Sequence, residues 1–279
     1  MPIQQDAMAK LGLGRIPLPY TCFTRFMKTL ILFLAFAGVA VSQTAITPGT
    51  ISIKEDFNNF VPAIASANGL IGTYGWSTTV SPAGSGSIAS VSNGGTDSNH
   101  AGIVKITAGA AAGDINALYL GDTSTSQYPL PDLGSTTNWT AYFVWKPGDV
   151  TSHNHGAGIT AFGSGGLFAF LNASVSNHFL FYVSNASTSG NVDSGVVATT
   201  TDWWSLKIWS TTVGVCNFQL YKNGVATGSA VTGGMGQTIN HALPTGKPLA
   251  PFFQASSEAA SPMTVLVDYF EFLRTGLVR

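Results

Sequence analysis

A chain of 279 residues that is 45% hydrophobic and only 9% charged has ample apolar material for a core, which excludes an intrinsically disordered protein. Its formal net charge of −1 excludes the basic footprint that nucleic-acid binding requires. The 32 glycines, set among many aromatic and β-branched residues, point to an all-β protein rich in turns.

Residues 1–26 show no foldable pattern. Met27-Lys28, the apolar run from Leu30 to Val41 and the triplet Ala40-Val41-Ser42 then follow the order of a secretory signal. The run is about twelve residues, short of the roughly 20 that span a bilayer. The expectation is a start at Met27 and cleavage after Ser42, so residues 1–42 are leader and the mature chain is secreted or extracellular. N-terminal sequencing of secreted material checks it, and a mature chain that keeps Met27 would overturn it. No cysteine follows the cleavage site to carry a lipid, so no membrane association is expected after leader removal. The leader takes four of the 12 basic and one of the 13 acidic residues, which leaves 8 and 12, a net −4. It also takes Cys22, and Cys216 alone cannot close an intramolecular disulfide.

Residues 43–50 read as a linker, and alternation makes Ile51–Phe57 the first strand. Phe60–Leu70 reads as a short helix or loop. Trp76 precedes a Ser/Gly-rich segment over 81–99 with a short strand near Ser87–Val91. Strands follow at Ala101–Thr107 and Asn116–Gly121, with a polar connection over 122–137. Asn138–Lys146 alternates cleanly, with Trp139, Ala141, Phe143 and Trp145 on one face. A loop carrying His153 and His155 leads to short strands at Gly158–Phe162, Gly166–Leu171 and His178–Ser184. A further strand is expected at Gly195–Thr199.

The strongest signal covers 202–224. Trp204, Leu206 and Ile208 share one face of a strand, and Cys216, Phe218 and Leu220 share one face of the next. Asn223-Gly224 is the favoured type I′ hairpin pair. A return strand follows near Val225–Val231, then a Gly/Pro-containing loop over 233–247. Strands at Pro251–Ala255 and Met263–Phe272 close the chain. Roughly twelve or thirteen strands without helical alternation predict one domain from about 50 to 279, an all-β two-sheet antiparallel sandwich.

Three local features carry a family resemblance. Trp204-Ser-Leu-Lys-Ile208, followed by Phe218-Gln-Leu-Tyr-Lys-Asn-Gly224, resembles the strand pair of the concanavalin A-like lectin/glucanase superfamily. Val267-Asp268-Tyr269-Phe270 resembles the closing strand of its laminarinase-type members, and Glu55-Asp56-Phe57 stands near the start, beside which a terminal strand of that superfamily usually pairs. Together they span about 50–272 and imply a concanavalin A-like jelly roll. A narrower similarity is to concanavalin A-like structural proteins of tailed bacteriophages, in His100–Thr107 and in Pro251–Gln254 through Val267–Tyr269. Such a fold hosts lectins, hydrolases, lyases and virion parts, so function rests on the site.

Glycoside hydrolysis needs two carboxyls roughly 5–9.5 Å apart. The Glu-x-Asp-x-x-Glu run of laminarinase-type enzymes is absent, and the glutamates Glu55, Glu258 and Glu271 are scattered. Asp268 and Glu271, three apart on a strand, are expected on opposite faces. Gln237-Thr-Ile-Asn-His241 only loosely echoes the lyase motif. Asp149 with His153 and His155 offers metal-type ligands without a third partner of fixed spacing. Asp97, Asn99, Asp114 and Asp122 suit calcium chemically but without a usable spacing, so no cofactor or metal is expected. No catalytic residue is assigned. The sequons at Asn138, Asn172 and Asn185 carry meaning only in a glycosylating host.

What remains is the outward face of the 202–224 pair. Trp203, Lys207, Trp209, Gln219 and Tyr221 place aromatic rings beside hydrogen-bonding groups, a mixture that suits a glycan or polysaccharide. The expected function is a non-enzymatic carbohydrate-binding or structural module, secreted or displayed on a particle surface. The alternatives are a polysaccharide-degrading enzyme, a virion structural protein, and packing of this face in a homo-oligomer.

Overall fold

The computed structural model describes residues 50–57, 74, 76–80, 86–91, 100, 102–121, 129–151, 153–161, 165–171, 177–185, 188–246 and 248–276. The expected leader, the Phe60–Leu70 segment, Asp97, Asn99, Asp122 and the sequon asparagine Asn172 lie outside the described residues.

Sixteen strands form among the described residues, in two sheets. The nine-stranded sheet has the order β14 (Ile239–Asn240), β13 (Val225–Gly234), β12 (Val215–Lys222), β11 (Trp204–Thr212), β6 (Trp139–Pro147), β16 (Thr264–Arg274), β4 (Ile103–Thr107), β3 (Ser87–Val91). The first strand, β1 (Ile51–Glu55), pairs with the end of β16 that β4 leaves open. The seven-stranded sheet has the order β10 (Thr188–Val197), β9 (His178–Asn185), β8 (Gly165–Leu171), β7 (His153–Ala161), β15 (Ala250–Ser257), β5 (Asp114–Leu120), β2 (Trp76–Val80). All pairings within these orders are antiparallel except the two-residue contact of β14 with β13.

The alternation read from the sequence is what packs the sheets together. Trp204, Leu206, Ile208, Cys216, Phe218 and Leu220 are buried between them, as are Trp139, Ala141, Phe143 and Trp145. The other sheet answers with Phe179, Phe181, Val183, Phe253 and Ala255. Phe179 meets the Trp204 ring at 5.0 Å and Phe253 meets the Phe143 ring at 5.6 Å. The hairpin is of the expected kind, with φ of 50° at Asn223 and 80° at Gly224. Asn223 locks it by accepting the Trp203 N–H at 2.9 Å and donating to Asp202 at 2.7 Å. Cys216 is a free, buried thiol whose pKa is pushed up by burial, so it acts as a small hydrophobe.

Two readings are corrected. His153 and His155 do not stand in a loop but open β7, whose inward residues run His153, His155, Ala157, Ile159. Histidine, asparagine and glycine are weak strand formers, yet β7 is hydrogen-bonded on both edges, by β15 and β8, and this pairing overrides propensity. Asp268 and Glu271 do not face opposite sides. Val267 pairs with Trp145 and Tyr269 with Val144, so Asp268 is the extra residue of a β-bulge. Val265, Val267, Phe270 and Phe272 join the core, while Leu266 and Tyr269 join an outer cluster. The bulge thus turns Asp268, Tyr269 and Glu271 all outward.

Candidate functional site

The five residues expected to form one platform share the outer face of the nine-stranded sheet but not one pocket. Trp203 and Trp209 lie six residues apart along the chain, about 20 Å on an extended strand. Trp203 is 6% exposed, packed with Ile103 and Val144 and stacked by His100 at 3.9 Å and 17°. Trp209 lines a separate hollow of about 200 Å³ with Thr140 and Leu273. The Lys207 ammonium lies over the Trp209 ring at 5.1 Å. Gln219 faces a bulge in β13, where its amide donates to the carbonyls of Leu220 and Thr227 at 2.9 Å each. That amide repairs broken ladder bonding, a role no linear pattern announces. Tyr221 meets the edge of Tyr142 at 6.1 Å.

Trp203 opens instead into a cleft of about 600 Å³ at the hairpin end of this sheet. Its wall includes His100, Asp268 and Tyr269, with Val144 and Ser205 at its base. The His100 Nδ1 lies 2.6 Å from an Asp268 carboxylate oxygen. Tyr269 donates to Glu271 at 3.1 Å. Burial and the Glu271 carboxylate push its hydroxyl up to about 12, so it stays a donor at neutral pH.

The outer face of the seven-stranded sheet carries a second aromatic arrangement, which the sequence reading did not find. Register sets Tyr119, Phe252, Gly158, Phe168, Tyr182 and Asn191 side by side on six consecutive strands. At a strand spacing of about 4.8 Å this row extends roughly 24 Å across the sheet. Phe168 stacks on Tyr182 at 5.0 Å and 17°, and Tyr119 on Phe252 at 5.9 Å and 24°. Gly158 and Gly156 are the outward residues of β7 at its centre. A methyl group on Gly158 would sit 2.3 Å from Phe168 Cβ, and one on Gly156 would sit 2.6 Å from Phe170 Cδ2. The missing side chain at Gly156 therefore leaves room for the Phe170 ring, and that at Gly158 admits the close approach of the Phe168 backbone. A trough of about 270 Å³ results, with Tyr119 and Phe252 at its deep end and Thr160 and Gln254 as polar neighbours. Alternation puts Phe168, Tyr182 and Phe252 each on a face of its own strand, and the row exists only once the strand order is known.

The expected metal-type histidines face inward. His153 Nδ1 accepts the Glu258 N–H at 3.3 Å, so its Nε2–H donates to Ser261 Oγ at 3.0 Å. That polarity is the reverse of what a serine nucleophile needs, and the contact fastens the turn after β15. His155 is fully buried; its Nδ1 accepts the Trp145 indole N–H at 3.2 Å, which leaves Nε2–H without a partner among the described residues. Burial pushes its pKa down to about 3. Asp114 accepts the Ala111 N–H at 3.1 Å and caps a turn. Among the described residues, no three His, Cys, Asp or Glu side chains group closely enough to hold a metal.

This geometry is that of an all-β, two-sheet sandwich with aromatic outer faces. No family model matches the sequence, and no curated protein matches it. Among solved structures, the chain is similar to a protein of unknown function from Shewanella oneidensis, with a TM-score of 0.52 and 14% identity over 96% of this chain and 100% of that one. It is also similar to a glycosyl hydrolase family protein from Mycobacterium fortuitum, with a TM-score of 0.50 and 14% identity over 79% and 98%. A third similar structure, at a TM-score of 0.45 and 16% identity over 82% and 95%, is domain 4 of an extracellular arabinanase from Geobacillus stearothermophilus in complex with arabinotriose. At such identities the likeness concerns the fold.

Proposed function

We propose that the protein is a non-enzymatic carbohydrate-binding module that holds an extended, uncharged polysaccharide across the outer face of its seven-stranded sheet. The observation that carries this reading is the in-register row Tyr119–Phe252–Gly158–Phe168–Tyr182–Asn191. Pyranose rings present an apolar C–H face to flat aromatics and hydroxyl edges to polar neighbours, here Thr160, Gln254 and Asn191. Among the described residues the trough is lined by no charged side chain, which favours a neutral polymer over a uronate or sulfated one. The row crosses six strands, so it suits the interior of a long chain. The leader expected over residues 1–42 supports delivery to the outside of the cell, where such polymers occur.

The test is retention of the full chain on insoluble and soluble neutral glycans, with reducing-sugar release measured in the same samples. Binding without release is expected, together with its loss in Phe168→Ala/Tyr182→Ala. Sugar release would move the reading to a polysaccharide-degrading enzyme, and undiminished binding by the double variant would remove the row as the site.

A further inference from the structure

We propose that the cleft at the hairpin end of the nine-stranded sheet is a second saccharide site, built as a pocket for a compact unit such as a chain end or a branch residue. It lies on the opposite outer face of the sandwich and does not depend on the row described above.

Cross-strand register defines the pocket. Ser205 pairs with Val144, and these two adjacent short side chains make the floor. Tyr269 pairs with Val144 on one flank and Tyr221 with Ser205 on the other. One step along the strands stands Tyr142, which meets the rings of Tyr221 at 6.1 Å and 66° and Tyr269 at 6.5 Å and 63°. At the opposite end the His100–Trp203 stack closes the cleft, with the hairpin residues Asn223 and Gly224 beside it. The floor thus lies between Tyr142 at one end and the His100–Trp203 stack at the other, with Asp268 and Tyr269 along one flank. Its volume of about 600 Å³ falls within the range of small-ligand pockets.

The polar groups fit a hydroxylated ligand. Asp268 reaches the wall only because the β-bulge turns it outward, and bulges commonly re-aim a side chain beside a site. Its carboxylate is held by His100 at 2.6 Å and offers acceptor capacity to sugar hydroxyls. Ser205 and Tyr142 contribute hydroxyls. Two nearby lysines are paired, Lys54 with Glu271 at 2.9 Å and Lys222 with Asp202 at 2.8 Å, and the Lys146 ammonium lies over the Trp203 ring at 5.9 Å. The rings supply the apolar contact.

The experiment titrates the full chain with methyl pyranosides of the gluco, galacto, manno and N-acetylglucosamine series and their disaccharides. Calorimetry and the tryptophan emission that Trp203 contributes report binding. Saturable binding of at least one probe is expected, weakened at least tenfold by Tyr142→Ala and by Asp268→Asn but unchanged by Phe168→Ala/Tyr182→Ala. Should Asp268→Asn lose its cooperative melt, Tyr142→Phe, which removes only a surface hydroxyl, decides with an expected severalfold loss. No saturable probe, or affinity kept in the Tyr142 variants, would overturn the pocket. Loss only in the Phe168/Tyr182 variant would assign the probe to the other sheet, and the pocket reading would fail while the row reading stands.

Discussion

On the seven-stranded sheet the outward aromatics run in one line across the strands, on either side of glycine, with no charged side chain in the trough among the described residues. On the nine-stranded sheet the outward aromatics instead surround two short residues, with a carboxylate and an imidazole in the wall. The difference comes from what interrupts each sheet. Two glycines at the centre of β7 leave the backbone low between rings that pair in stacks on either side. A bulge in β16 adds one residue, twists the strand and aims a polar side chain out of the sheet into the cleft wall. Glycine and bulge are thus two ways for one sandwich to present rings, the first suited to a polymer's length and the second to its end.

Acid gives the largest expected effect and separates the core from both faces. His155 is neutral in the folded core, its pKa pushed down to about 3 from the usual 6.5 by burial. As pH falls through 6.5 the unfolded chain takes up this proton while the folded chain does not. The contribution is complete above pH 6.5 and is lost progressively down to about pH 3, on the order of 5 kcal/mol in all. Urea melts across this window are expected to be steeper in pH for the parent than for His155→Phe. Equal slopes would show that another group carries the acid sensitivity.

The row is broken most directly by Phe168→Ala/Tyr182→Ala. Loss of two stacked contact rings is expected to weaken polysaccharide retention by about 100-fold, as for central aromatic anchors. Affinity electrophoresis reads the loss, and a cooperative melt confirms that the fold survives. Gly158→Ala sharpens the same face from beneath. Its methyl group would collide with Phe168 Cβ and the Leu167 carbonyl, costing about 1–3 kcal/mol and displacing the Phe168 ring. Lower stability with unaltered binding would mean that the ring's position is irrelevant.

Two smaller effects concern the nine-stranded sheet. Gln219→Ala strands the Thr227 carbonyl at the β13 bulge, and a loss of about 1–2 kcal/mol in a denaturant melt is expected without change in either sugar affinity. A selective loss of glycan binding would restore Gln219 to a recognition role. Trp209→Ala removes the ring under Lys207, worth about 0.5–1 kcal/mol at such a site. It is expected to leave both ligand classes bound, because Trp209 lines neither the trough nor the cleft.

Alternation along β6, β11 and β12 suffices to name the inward residues, because a side-chain period of two is a property of the strand itself. The Asn223-Gly224 turn is equally local, since positive φ at both positions is a demand that few residue pairs meet. The two-sheet sandwich and its core are therefore legible in the order of the amino acids. Trp203 and Tyr221 could also be placed on an outward face in this way. What that outward face does could not be read, because it depends on partners far away in the chain. His100 reaches Asp268 across 168 residues, and the bulge that turns Asp268 outward exists only in its register against Trp145 and Val144. Gln219 resembles a binding residue until β13 brings its bulge beside it. The row of rings on the other sheet depends on β15 entering between β5 and β7, although it follows them by about a hundred residues in the chain. Local periodicity determined which side chains face in and which face out; the pairing of distant strands alone decided which outward side chains stand together.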